Sequence, residues 1–206
     1  MLALITMCLR GMPFIYQGQE IGRENMEFSS VEGIDDISTK DEYQVALRAG
    51  LDEKEALRVV NRFSRDNART PMQWTADEKA GFTTGTPWLV VNPKCKQINV
   101  ETQVKKEDSV FSFYRKLIAL RKNPEYKNVM VYGTFRSYAV PEKNLMVYSR
   151  EDDEKRLLVA ANYQSMPQSV TLPSTVTRVL LTNDDEIQIE GTELQLSGYQ
   201  AIVFEI

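Results

Sequence analysis

No histidine occurs among the 206 residues, so no imidazole is available here as acid, base or metal ligand. Cysteine is nearly as scarce: Cys8 and Cys95 are the two present, in unrelated contexts without metal-ligand spacing. They read as free buried thiols of a reducing compartment, which points to the cytoplasm. There is no excess of positive charge. A net charge of −4 and a pI near 5.1 provide no basic face for nucleic acid. No apolar run approaches the roughly 20 residues that span a bilayer, so no membrane partner is expected. The opening Met1–Leu9 lacks the basic start and small-residue cleavage site of a signal peptide and reads as the last turns of a buried helix. Being apolar nearly all round, such a helix needs cover, and its position at the start suggests a piece of a larger fold. Internal repeats and low-complexity segments are also missing.

What is present is ordinary globular material: 42% hydrophobic and 26% charged residues, enough for one large domain or two small ones. Phe14-Ile15-Tyr16, between Gly11-Met-Pro13 and Gly18, reads as a short buried strand, followed by a polar loop with Gln17, Gln19 and Glu20. Helix, strand and polar loop in that order make an α/β unit, in which functional residues gather beyond the strand's C-terminal end. A helix is expected over 40–49. Asp52 and Glu55 form a D-x-x-E start signal, with Leu51 and Ala56 as a hydrophobic staple. Ala56, Val59, Val60 and Phe63 then line one packing stripe. A further helix is expected over 107–122, capped by Asp108 and ended at Asn123-Pro124.

Beyond it the texture changes. Val129–Tyr132, Leu145–Tyr148, Leu157–Asn162, Ser169–Leu172, Arg178–Leu181, Glu186–Ile189, Glu193–Leu196 and Ala201–Ile206 are short β-rich runs separated by turn residues. They suggest an antiparallel β-sandwich, with the domain boundary near 124–128. The fold class expected is therefore α/β plus all-β, with domains 1–125 and 126–206.

Between 64 and about 105 no periodicity persists. A stretch of that length without regular elements is uncommon unless it is functional. Its first part, Ser64-Arg-Asp-Asn-Ala-Arg-Thr-Pro-Met-Gln-Trp74, packs two arginines, an aspartate, an asparagine, a glutamine and a tryptophan into eleven residues. Dense donors and acceptors beside an aromatic suit a wall that hydrogen-bonds and stacks on a polyhydroxylated ligand.

These pieces together resemble the C-terminal portion of an α-glucosidase of the α-amylase superfamily, in the oligo-1,6-glucosidase and dextran glucosidase branch. The likeness covers essentially the whole chain. Met1–Gly11 is similar to the end of the seventh helix of a (β/α)8 barrel, and Gly11–Gly22 to its eighth strand and following loop. Ser64–Trp74, with Ala80-Gly-Phe-Thr-Thr-Gly-Thr-Pro-Trp88, resembles the long active-site loop. Ser109–Lys122 is similar to the last barrel helix, and 126–206 to the all-β C-terminal domain. The resemblance implies retaining hydrolysis at a terminal α-linked glucose, with one carboxylate as nucleophile and another as acid. It places those carboxylates, and a histidine-aspartate pair that holds sugar hydroxyls, upstream of Met1. No catalytic residue is therefore expected here, nor any cofactor or metal; the implied partner is the oligosaccharide substrate, and the chain alone is expected to be inactive.

The residues carried over for substrate binding are Arg65, Asn67, Gln73 and Trp74. Arg65 matches the arginine that this branch sets beside the substrate, where its fork of donors can bridge hydroxyls and a carboxylate; the alternative is an arginine tying the loop together. Asp66 and Arg69 read as loop braces, Trp88 and Phe82 as loop anchors. Glu20 is not expected to be the acid. Asp35-Asp36 and Asp184-Asp185-Glu186 read as solvated turns, since neither has calcium-loop spacing. Trehalose-6-phosphate hydrolase, sucrose isomerase and maltose-acting α-glucosidase share the scaffold, and Ala68 leans toward the 1,6-glucosidase type. A non-catalytic β-sandwich module with a structural or glycan-binding role is the alternative of another class.

Overall fold

The computed structural model describes residues 1–138 and 144–206, whose contacts gather into two compact units, Met1–Phe14 with Phe113–Ile206 and Ile15–Ser112. The first unit is built on a five-stranded antiparallel sheet. Its strands are β1 (Thr134–Tyr138), β2 (Leu145–Glu151), β3 (Arg156–Asn162), β5 (Arg178–Thr182) and β8 (Ala201–Glu205), in the order β1-β2-β3-β8-β5. A three-stranded sheet follows the order β4-β7-β6, from Gln168–Thr171, Glu193–Leu196 and Gln188–Glu190. The sandwich expected from the turn spacing is there.

Its large sheet is covered on both faces, and the two-residue period of a strand sorts the side chains between them. Val147, Leu158, Ala160, Ile202 and Phe204 meet Val170, Leu194 and Leu196 from the small sheet, and Leu172 just beyond its first strand. Their neighbours Tyr148, Leu157, Val159, Ala161 and Val203 face helices: α1 (Leu2–Cys8), Leu117 of α6 (Val110–Lys122) and Val129 and Met130 of α7 (Lys127–Val131). With two apolar faces, β3 is buried at almost every position and reads as a continuous hydrophobic run.

Two buried arginines lock α1 to this unit. Arg121 donates to the carbonyls of Met7 (2.7 Å), Leu9 (3.1 Å) and Gly11; Arg150 donates to those of Cys8 (3.0 Å), Met130 (2.6 Å) and Gly133 (2.7 Å). They satisfy carbonyls that the ends of α1 and α7 leave without helical partners. Leu4, Ile5, Met7 and Cys8 are thus covered by this chain itself, so the opening helix finds the cover it needs.

Two other expectations are corrected, and one strand goes unsignalled in the sequence. Phe14–Tyr16 forms no strand: no neighbouring strand among the described residues pairs its backbone, and its side chains are exposed. Val129–Tyr132 belongs to a helical turn, whose buried Val129 and Met130 pack under the sheet. Thr134–Tyr138, too polar to stand out as a strand, pairs with β2 instead.

The second unit contains α2 (Ile37–Arg48), α3 (Glu53–Phe63), α4 (Asp66–Arg69) and α5 (Val100–Val104). Asp52 caps α3 by accepting the Glu55 N–H at 2.8 Å, as the start signal predicts. Ala56 and Val60 enter a core with Phe28, Ile34 and Tyr43, and Leu51 packs against it. Val59 and Phe63 do not join them; Phe63 is 70% exposed, so the apolar stripe is half packed.

Candidate functional site

The chain leaves α3 at Ser64, makes the single turn α4, and is turned extended at Thr70 because Pro71 disfavours the helical conformation before it. The short helix is built around Asp66, which is fully buried. Its carboxylate accepts the backbone N–H of Asp35 at 2.7 Å and of Asp36 at 3.0 Å, and Arg69 Nη2 lies 2.6 Å from its other oxygen. Asp66 thereby fixes the Asp35-Asp36 turn against α4.

That turn is not the solvated one the sequence suggests. Asp36 is buried at 3% exposure, because α4 and the start of α2 close over it. Its carboxylate accepts from Arg65 Nε (2.9 Å) and Nη2, and from Thr39 Oγ1 (2.6 Å). Arg69 stands 3.5 Å away as a second cation. The Arg65 hydrogen bonds hold the Asp36 carboxyl well below the usual carboxylate range, against the opposing effect of burial. Asp35 remains exposed and accepts the indole N–H of Trp88 at 3.0 Å, while the Arg69 guanidinium sits 5.6 Å from the Trp88 ring centroid. Asp66, Arg69 and Trp88 are thus the braces and anchor expected of them.

The four residues expected to bind substrate separate into two kinds. Arg65 is held along one edge by Asp36 and by Ser38 Oγ at 3.1 Å, yet its side chain stays 66% exposed. Trp74 keeps its ring half exposed while its backbone bonds to Ala80 and Glu101. Asn67 and Gln73 are instead spent inside the loop. The Asn67 side chain accepts from Met26 N–H (3.0 Å) and donates to Asn61 O (2.7 Å); Gln73 is fully buried and donates to Ile98 O at 2.6 Å. Gln73, closed off from solvent, holds the loop rather than facing a ligand, whereas Asn67 is half-buried and also borders a cleft.

A second loop, residues 16–25, faces this one across a cleft of about 360 Å3 lined by Tyr16, Gln17, Gln19, Arg23, Arg62 and Asn67 among others. Gln19 and Glu20 are used locally: their side chains accept the backbone N–H groups of Tyr16 and Gly18. Tyr16 donates its hydroxyl to Ala68 O at 3.1 Å, and Arg23 donates to Thr70 O and Asn67 O, both at 3.0 Å. Tyr16 reads in sequence only as part of a strand, and a lone arginine after Gly22 carries no periodicity or spacing signal. These bonds tie the two loops together at the cleft, while Arg65 and Trp74, outside its lining, keep the exposed faces that suit hydroxyl recognition and stacking. Among the described residues no group of three or more cysteines, aspartates and glutamates is placed to hold a metal, and no helix is long and apolar enough to cross a membrane.

Comparison with known proteins places these features. The family model described as alpha amylase, catalytic domain, matches residues 1–133, and that of the alpha-amylase SusG C-terminal domain matches residues 145–203. The oligo-1,6-glucosidase of Bacillus cereus is 37% identical over 100% of this chain and 37% of its own length. The trehalose-6-phosphate hydrolase of Bacillus subtilis is 34% identical, again over 100% of this chain and 37% of the relative. Among solved structures, the isomaltulose synthase of Klebsiella sp. LX3 superposes with a TM-score of 0.88 at 36% identity, covering 99% of this chain and 37% of that one. The chain spans a little over a third of the length of these relatives.

Proposed function

The chain belongs to the alpha-amylase family, and from that premise we propose that it is the C-terminal third of a retaining α-glucosidase releasing glucose from α-1,6-linked oligosaccharides. The nucleophile, the acid and the histidine-aspartate pair lie, on this reading, in barrel segments that precede Met1. What supports the reading is the likeness to oligo-1,6-glucosidase, over all of this chain and 37% of that relative, together with the state of Arg65, anchored by Asp36 on one edge and exposed on the rest.

Retaining hydrolysis sets two carboxyl groups about 5–5.5 Å apart around the scissile bond. A guanidinium held rigidly beside them can bond a sugar hydroxyl and a carboxylate together, which a mobile ammonium cannot. Asp36 fixes that fork, and Asp66 fixes Asp36. Trp74 offers an indole face to the leaving-group sugar. The β-sandwich carries no step of the chemistry; its large sheet buries α1 and α7.

The test is the polypeptide encoded continuously through the coding sequence preceding Met1 to Ile206, assayed in parallel on isomaltose, trehalose 6-phosphate and sucrose. Glucose released from isomaltose with its anomeric configuration retained supports the proposal. Turnover confined to trehalose 6-phosphate, rearrangement of sucrose, or an in-frame stop ahead of Met1 overturns it.

A further inference from the structure

We propose that Arg23, with Tyr16 beside it, is a positioning residue: it clamps the α4 turn and so sets where Arg65 stands. A helix end leaves its last carbonyls without intrahelical donors, and α4 is a single turn with little cooperativity of its own. Three carbonyls in and just after it, those of Asn67, Ala68 and Thr70, are met by side chains from the facing loop. Two of the three bonds come from the one guanidinium, whose planar fork reaches Asn67 O with Nη2 and Thr70 O with Nη1. The facing loop is shaped for that reach. Gly18 has φ +90°, and a Cβ there would lie 2.9 Å from Arg23 Nε and 3.0 Å from Cδ. Arg23 N–H also donates to Gly18 O at 2.9 Å, closing the loop on itself. Arg23 is therefore held at its base and spent at its tip, while Asp66, on α4 itself, ties the turn to the Asp35-Asp36 backbone. Removing the Arg23 grip leaves α4 tethered through Asp66, Asn67 and Tyr16 alone, with the Asn67 and Thr70 carbonyls short of their guanidinium donor. Neither Arg23 nor Tyr16 is assigned contact with the sugar; they act through Arg65.

The consequence for turnover rests on the α-glucosidase reading above; the consequence for loop order does not. Hydrogen exchange on the 206-residue chain reads the second. In Arg23→Met the amides of 64–70 should exchange about ten- to hundredfold faster, the cost of losing a charge-assisted bond expressed as an opening equilibrium. Amides of 156–162 should not change. Arg23→Lys, which can reach one carbonyl but not two, should fall between, and Tyr16→Phe should give a smaller rise. Unchanged protection of 64–70 in a folded Arg23→Met overturns the proposal. If that variant does not fold, unchanged protection in Tyr16→Phe does so. In the complete enzyme, Arg23→Met should lower kcat/KM on isomaltose about tenfold, and this loss should shrink toward nothing when Arg65 is already lysine. Full additivity of the two substitutions overturns action through Arg65. An enzyme inert on every α-glucoside instead sinks the function proposed above, and hydrogen exchange still decides the clamp.

Discussion

Replacing Asp66 by asparagine removes the charge of a fully buried carboxylate without changing its size. Two backbone donors and one guanidinium depend on that charge, at 2.7, 3.0 and 2.6 Å. A charge-assisted hydrogen bond contributes about 1.5–3 kcal/mol, and an asparagine oxygen that keeps both backbone donors, which share one carboxylate oxygen, turns its NH2 against the Arg69 guanidinium. Arg69 is 36% exposed, so solvent screens part of that clash, and the remainder of the effect is the lost charge assistance of the two backbone bonds. The expected loss is about 3 kcal/mol, at the lower end for breaking a buried ionic group. With an m-value of about 1–3 kcal/mol/M, that is a fall of roughly 1–3 M in the urea midpoint. Both tryptophans, Trp74 and Trp88, belong to the unit that contains Asp66, so indole emission reports its unfolding selectively. Asp35→Asn is the control: its exposed carboxylate accepts only the Trp88 N–H among the described bonds, and the midpoint should hardly move while the Trp88 emission shifts. A midpoint in Asp66→Asn within about 0.2 M of wild type would refute the idea that this carboxylate organises the loop.

The Asp36 carboxyl is depressed in the folded state by Arg65, so its contribution is fully present above the unfolded value of about 3.9 and is lost as pH falls through the folded one. Urea midpoints followed by tryptophan emission should hold from pH 7 to about 5 and decline below about 4; Asp36→Asn should flatten that decline, and an identical slope would contradict it. Arg150→Met should destabilise the β-sheet unit by about 2–5 kcal/mol, because the Cys8 and Gly133 carbonyls lose their guanidinium donor and Met130 O keeps only Arg121 at 3.5 Å. Far-UV circular dichroism in urea measures this, and a change below about 1 kcal/mol would show those carbonyls to be satisfied otherwise. Cys8 and Cys95 are both buried, and burial pushes the Cys8 thiol up to about 12, so neither should react with a thiol reagent until urea unfolds the chain. Prompt labelling of the native protein would contradict that packing.

The β-sandwich was legible because its strands alternate between two cores and its turns recur at short intervals, both of which are local properties. The Asp52 cap was legible for the same reason. Val129–Tyr132 was misread since a short apolar run fits a strand or a buried helical turn equally, and only packing under the sheet decides. The density of polar groups in 64–74 singles out the candidate loop, but which of them face solvent depends on partners far away in sequence. Gln73 is consumed by Ile98, and Asp36 is buried by Arg65 and Thr39. Arg23 reaches across from residue 23 to carbonyls at 67 and 70, a relation that no window along the chain contains.

The most direct test of the account is kcat/KM on isomaltose for the complete enzyme and its Arg65→Lys form, with thermal midpoints on the same preparations. Lysine keeps a charge near Asp36, and Arg69 remains 3.5 Å from the same oxygen, so the midpoint should stay close to wild type. It cannot bridge hydroxyl and carboxylate together, so kcat/KM should fall roughly ten- to hundredfold. A near-normal kcat/KM with a midpoint lowered by several degrees would make Arg65 a brace of the loop and remove it from the sugar site.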